Sequence, residues 1–175
     1  MSSTPSVTGE RADLLAALAK QRHFLRLTTR ELTDEQAGLR TTASELCLGG
    51  LVKHVASVER NWIAFIQEGP SATGDFADMT EEDFAERTDE FRMLPGETLA
   101  GVLKDYEETA RVTDELVVSL PGLDASHELP KAPWNPPGER WSARRVFLHV
   151  VAETAQHAGH ADIIREALDG AKSMG

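Results

Sequence analysis

The chain has 175 residues, with 18 lysines and arginines against 29 aspartates and glutamates, which gives a formal net charge of −11. Hydrophobic residues make up 41% of the chain, which is typical of a folded domain and excludes a disordered one. The acidic balance argues against nucleic-acid binding, which needs a basic patch. The sequence has no apolar run of roughly 20 residues and no apolar leader, and its single cysteine, Cys47, cannot form a disulfide within the chain. It therefore predicts a cytoplasmic protein without nucleic-acid or membrane partners.

Four long stretches have the apolar spacing of amphipathic helices, and they are predicted at residues 10–32, 44–67, 96–120 and 142–168. Residues 1–9 are polar and are predicted to be a flexible N-terminus before a single domain over residues 10–170. Thr42 and Glu45 have the spacing of a capping box at the start of the second helix, and Gly170 is expected to cap the last one. This pattern predicts an all-α fold, a four-helix bundle with long crossover loops, and leaves the connectivity open.

Two connecting segments differ in composition from the helices. Residues 70–95 are strongly acidic and are predicted to form a loop with one short helix after Thr80. We interpret them as a solvated acidic face, with a lid or partner surface as the alternative. Residues 121–141 contain five prolines, which excludes a long helix there. Trp134 and Trp141 are expected to be buried anchors or to line a pocket.

The last predicted helix carries ionisable side chains on its apolar face. On a helical wheel at about 100° per residue, four of them fall within about 80° of one another, namely His149, Glu153, His157 and His160. Val146, Val150 and Ile164 belong to the same face, so the ionisable groups are directed toward the core. Burying an unpaired carboxylate or imidazole is unfavourable, and these groups therefore need partners.

His54, at the edge of the apolar stripe of the second helix, completes a candidate ligand set. A divalent metal bound by His54, Glu153 and His157 would compensate their burial and leave a coordination position open for water or substrate. The alternative is a buried polar network without a metal, in which Glu153 is hydrogen-bonded to His149 or His157. His23 and His127 are expected at the surface or in a loop, and Cys47 is expected to be a packed thiol on the second helix.

The segments around these residues resemble signatures of the DinB superfamily. Residues 49–62, which include His54, are similar to its second-helix signature. Residues 141–170 are similar to its last-helix signature through His149, Glu153, His157 and His160. The likeness covers residues 10–170 and is greatest to the actinobacterial branch grouped with mycothiol-dependent enzymes, that is, to mycothiol S-transferase-like proteins.

This resemblance implies a bundle in which a divalent metal, commonly zinc or nickel, is held by two side chains of the last helix and one of the second. The corresponding residues here are His54, Glu153 and His157. Glu153 matches the mycothiol-using isomerase, whereas many relatives have His at that position. His160 stands where many relatives have Gln, and it is left open as a fourth ligand, an alternative ligand beside His54 and His157, or a base.

The leading hypothesis is a metal-dependent thiol S-transferase that conjugates a low-molecular-weight thiol such as mycothiol to an electrophilic small molecule. His149 and His160 are candidate catalytic residues, as bases or as groups that orient the ligands. The alternatives are a metal-dependent hydrolase or isomerase and a non-enzymatic metal-binding stress-response bundle. A homodimer is also expected, because relatives are often dimers and Trp62, Phe65 and Ile66 offer more apolar surface than one core absorbs.

Overall fold

The computed structural model describes residues 7–173, so the first six residues of the predicted flexible N-terminus lie outside the described part of the chain. The helices in chain order are α1 (Glu10–Leu27), α2 (Asp34–Gly38), α3 (Leu48–Glu68), α4 (Glu81–Asp89), α5 (Leu99–Ser119) and α6 (Ala143–Asp169). Two short strands, β1 (Ser126–Glu128) and β2 (Arg140–Ser142), pair antiparallel with His127 opposite Trp141. The predicted four-helix bundle is confirmed, while the domain bounds at residues 10 and 170 stay a prediction.

The four long helices, α1, α3, α5 and α6, form a ring that does not follow their order in the chain. Both α1 and α3 pack against α5 and against α6, so α1 lies diagonally opposite α3, and α5 lies diagonally opposite α6. Residues 28–47 and residues 120–142 therefore join diagonal helices, whereas residues 69–98 join two neighbours. This order brings α3 and α6 side by side, although α5 separates them in the sequence.

The core lies between the facing apolar stripes of the long helices. One buried cluster includes Leu25, Leu51, Val55, Tyr106 and Ala161. A second includes Leu18, Ile63, Val117, Phe147 and Val150. Full burial of each leucine, isoleucine, valine or phenylalanine among them contributes roughly 1.5–3 kcal/mol before conformational entropy is subtracted. Across residues 7–173, every helix is too short or too polar to traverse a lipid bilayer.

The apolar end of α3, which suggested a dimer, is covered within the chain. Phe65 is buried against the hairpin, and Trp62 stacks on Trp141 with the ring centroids 4.8 Å apart. The apolar surface at this end of α3 is thus covered by β2 and the residues beside it. The homodimer stays a prediction. Trp134 is 64% exposed, so it is not a buried anchor.

The first helix ends at Leu27, five residues before the predicted end at Leu32. Its chain leaves the helix because the carbonyl oxygens of Thr28 and Arg30 turn toward α6. There they accept hydrogen bonds from the Arg165 guanidinium at 2.9 and 2.7 Å. A side chain from the far end of the sequence therefore sets this boundary.

The predicted capping box at the start of the second helix does not form. The Thr42 hydroxyl accepts a hydrogen bond from the amide of Ser44 at 3.2 Å, and α3 begins only at Leu48. The last helix follows the prediction closely. Ser142 caps its start through the amide of the third helical residue, and Gly170 ends it in the left-handed conformation.

Helix α3 and the acidic segment approach each other through their backbones at Gly50. A Cβ atom there would lie 2.0 Å from the carbonyl oxygen of Phe91, a collision that no rotamer change relieves. Gly50→Ala is therefore expected to lower the free energy of unfolding by roughly 1–3 kcal/mol, measured by urea denaturation. The control is Gly159→Ala, a helical glycine whose Cβ would have no neighbour within 4 Å. It is expected to gain up to about 1 kcal/mol, and an equal gain from Gly50→Ala would contradict the close approach.

Candidate metal centre

Three side chains from α3 and α6 meet where these helices pack together. The Oε1 atom of Glu153 lies 3.2 Å from Nε2 of His157 and 3.6 Å from Nε2 of His54. One potential ligand atom from each of the three residues lies within 4.8 Å of the other two. The imidazole rings meet edge to face, with their centroids 4.9 Å apart. Both histidines thus direct Nε2 at one carboxylate oxygen.

Helix geometry explains how these side chains come together. Glu153 and His157 are four residues apart on α6, so they lie on successive turns of one face. His54 lies between the fully buried Leu51 and Val55, at the edge of the face that packs against α6. The side chain of His54 is 12% exposed and that of Glu153 is 24% exposed, so the cluster lies at the rim of the core with one side open.

The electrostatics of the cluster favour positive charge. Hydrogen bonds to His157 and His54 hold the pKa of Glu153 far below its usual range, although burial acts in the opposite direction, so the carboxyl group is ionised. Burial lowers the pKa of His54, but hydrogen bonds to Glu153 and Glu90 outweigh this effect and raise it. Carboxylates that stabilise a protonated imidazole would also stabilise a bound cation.

The chemistry of the three donors fits a divalent metal ion. Two imidazole nitrogens and one carboxylate oxygen are typical ligands of zinc and of other first-row divalent ions. Three protein ligands leave room for water or substrate, as in catalytic rather than structural zinc sites. The alternative polar network uses the same contacts among His54, Glu153 and His157, so metal ligation by these residues stays a prediction.

His160 lies beside this group rather than within it. Its Nδ1 atom is 3.5 Å from Nδ1 of His157, whereas Nε2 of His157 faces Glu153. His160 therefore contacts the ring nitrogen of His157 that points away from the carboxylate. From this position His160 is better placed to orient His157 than to take the place of Glu153 as a ligand.

His149 lies one helical turn before Glu153, within an aromatic group. Its ring meets Trp62 and Trp141 edge to face, with centroid distances of 5.0 and 5.1 Å. Burial lowers the pKa of His149, against the opposite influence of Glu153. The neutral imidazole is therefore favoured, and together with the two indole rings it forms an apolar wall on the same face of α6.

The remaining sequence candidates lie away from the cluster. Nε2 of His127 is 3.2 Å from the carbonyl oxygen of Ile66, near the end of α3. Cys47 is buried at the position before α3, and His23 is exposed on α1. His23 thus lies at the surface, as expected, whereas His127 is half-buried in β1 and Cys47 is packed just before α3 rather than within it.

Two polar residues beside the cluster, Glu90 and Ser57, are not predicted by the sequence pattern. Glu90 belongs to the acidic stretch, but its Oε2 lies 3.3 Å from Nδ1 of His54 and its Oε1 accepts a short hydrogen bond from the Ser57 hydroxyl. Burial raises the pKa of Glu90, but these two hydrogen bonds outweigh burial and lower it. The one sequence feature related to this contact is Gly50, which allows another segment to approach α3 closely but does not show which segment it is.

The fold and the donor cluster define a helical bundle with a candidate metal centre between two of its helices. A family model described as mycothiol-S-transferase matches residues 13–170. The chain therefore belongs to the mycothiol-S-transferase family, and the resemblance to mycothiol-dependent DinB proteins is confirmed. No curated protein matches the chain.

Among solved structures, YfiT from Bacillus subtilis is similar, with 15% sequence identity and a TM-score of 0.64 over 94% of this chain and 91% of that one. That protein is described as a probable metal-dependent hydrolase with an unusual four-helix bundle topology. At this identity the likeness bears on the fold. In this chain, too, the ring of four helices with its two diagonal connections differs from a simple up-and-down bundle.

Proposed function

We propose that the chain is a divalent-metal-dependent thiol S-transferase that joins a low-molecular-weight thiol, such as mycothiol, to an electrophilic small molecule. The observation that carries the proposal is the convergence of His54, Glu153 and His157 within 4.8 Å in a member of the mycothiol-S-transferase family. These three residues would hold zinc or nickel. The ion would supply the positive charge that favours the thiolate over the thiol.

The surrounding side chains have distinct tasks in this proposal. The ionised Glu153 and the two imidazoles orient one another through Nε2 and Oε1. Trp62 and Trp141 pack against His149, one helical turn before Glu153, and would limit the access of water from that side. His149 and His160 are the candidates to accept the thiol proton at a ring nitrogen. The sulfur then forms its bond to the electrophilic carbon, and the leaving group departs with the electron pair of the broken bond.

The test is a transfer assay on the zinc- or nickel-loaded chain, with mycothiol and a bromobimane electrophile. We expect a rate above the spontaneous reaction in the wild type, and a fall to the spontaneous rate in His54→Ala. His23→Ala is the matched control because His23 is exposed on another helix, and it should keep the wild-type rate. Equal rates for wild type and His54→Ala would remove the proposal.

The same assay separates the alternative functions. Turnover of the electrophile or of an ester without any thiol would favour a metal-dependent hydrolase or isomerase, the reaction class in the description of YfiT. Tight metal binding with no turnover in either arm would favour a non-enzymatic metal-binding bundle.

A further inference from the structure

We propose that Glu90 is a positioning residue for the candidate metal centre, which fixes the tautomer and the ring orientation of His54. The inference rests on the proposed function, because it assigns His54 as a ligand through Nε2. It also means that Glu90, within the acidic residues 70–95, does more than contribute to a solvated acidic face.

The two ring nitrogens of His54 face two different carboxylates. Nδ1 lies 3.3 Å from Oε2 of Glu90, and Nε2 lies 3.6 Å from Oε1 of Glu153. A neutral imidazole carries one proton, and a carboxylate at Nδ1 accepts that proton in a hydrogen bond. The lone pair then remains on Nε2, on the side of the three converging donors. Carboxylate–histidine–metal arrangements orient ligand imidazoles in this way.

Glu90 is itself held in place by α3. Its Oε1 accepts a hydrogen bond from the hydroxyl of Ser57, which follows His54 by three residues and therefore lies on the same face of the helix. The Glu90 side chain is 27% exposed. In contrast, Glu86, one turn earlier on α4, is exposed. The acidic stretch thus turns Glu90 toward the centre, whereas Glu86 remains exposed.

The residue after Glu90 fixes the plane of the imidazole. The ring of Phe91 stacks on that of His54, with the centroids 4.0 Å apart and an interplanar angle of 26°. The Phe91 backbone lies against Gly50, where only a glycine leaves room for it. Lys53 donates a hydrogen bond to the carbonyl oxygen of Arg92 at 3.2 Å. The backbone of residues 90–92 is therefore anchored along α3 and holds His54 both at its edge and at its face.

The first test is the affinity of the metal-free full chain for Zn²⁺, measured by competition with a chromophoric chelator. Glu90→Ala is expected to bind zinc roughly 10- to 100-fold more weakly than wild type. Glu90→Gln should lose less, because its amide oxygen still accepts from Nδ1–H. Glu86→Ala is the matched control and should stay within about twofold of wild type.

A second readout addresses orientation rather than stability. In ¹⁵N spectra of the zinc-loaded protein, wild type and Glu90→Gln should show a protected Nδ1–H proton of His54, and Glu90→Ala should lose it to exchange with water. Ser57→Ala removes only the hydroxyl that holds Glu90. It is expected to weaken zinc binding in the same direction, and it replaces Glu90→Ala in the comparison should that variant fail to fold.

The outcomes separate this inference from the proposed function. Wild type that binds zinc, together with a Glu90→Ala chain that binds it equally well, overturns the positioning role alone. A loss in Glu86→Ala as large as that in Glu90→Ala also overturns it. Wild type that binds neither zinc nor nickel overturns the proposed function and this inference together.

Discussion

Glu153→Ala is expected to leave the purified chain almost free of tightly bound divalent metal, whereas wild type should hold close to one ion per chain. Glu153 contributes the carboxylate oxygen that both Nε2 atoms of His54 and His157 face, at 3.6 and 3.2 Å. Without it, only two imidazole donors remain, and the negative charge of Glu153 that favours a cation is lost. Elemental analysis after removal of excess metal measures the stoichiometry.

Glu166→Ala is the control for this experiment. Glu166 is also on α6, but it is exposed and pairs at the surface with Lys172 at 2.9 Å. It should keep the wild-type metal content. Retention of one ion per chain by Glu153→Ala would show that the three donors do not form the site, and the hydrogen-bonded network without a metal would then account for them.

Glu59→Ala is expected to lower the free energy of unfolding by about 3–5 kcal/mol, because it leaves a buried guanidinium without its main partner. The Glu59 side chain is fully buried, and its Oε1 lies 2.5 Å from Nη2 of Arg22, which is 6% exposed. Burial lowers the pKa of Arg22, but Glu59 and Asp114 outweigh this effect and raise it, so the guanidinium stays charged. Urea denaturation followed by circular dichroism measures the loss.

The matched control breaks an ion pair at the surface. Arg60 and Asp105 form a 2.6 Å contact between half-exposed side chains, and Asp105→Ala should cost no more than about 1 kcal/mol. Replacing Arg22 and Glu59 together by leucine should be less destabilising than Glu59→Ala alone, because no unpaired charge is then buried. A small loss for Glu59→Ala, similar to that of Asp105→Ala, would contradict the burial of this pair.

The long helices could be predicted because their apolar spacing reflects a core that each helix needs in order to form. The helix ends could not, since they depend on distant groups. The carbonyl oxygens of Thr28 and Arg30, just after α1, accept hydrogen bonds from the distant Arg165. The β1–β2 hairpin and the diagonal connections could not be predicted either. The prolines of residues 121–141 exclude a long helix, but they do not show which segments pair with each other.

Only part of the candidate centre could be predicted from the sequence. Glu153 and His157 share a helical face by their spacing, and the apolar neighbours of His54 place it at a helix interface. The contact of Glu90 with His54 depends instead on the path of a crossover segment, which the backbone approach at Gly50 permits but does not specify. Side chains brought in by such segments have no periodic signal.

The ring order of the helices has a consequence for biosynthesis. About 100 residues separate His54 from Glu153, so α3 leaves the ribosome well before α6, and the three donors can meet only after α6 has been made. A nascent chain that ends before α6 carries His54 but neither Glu153 nor His157. If these three donors bind an ion as proposed, its acquisition would be coupled to the docking of α6 on α3, and the metal would stabilise the folded bundle rather than its precursors.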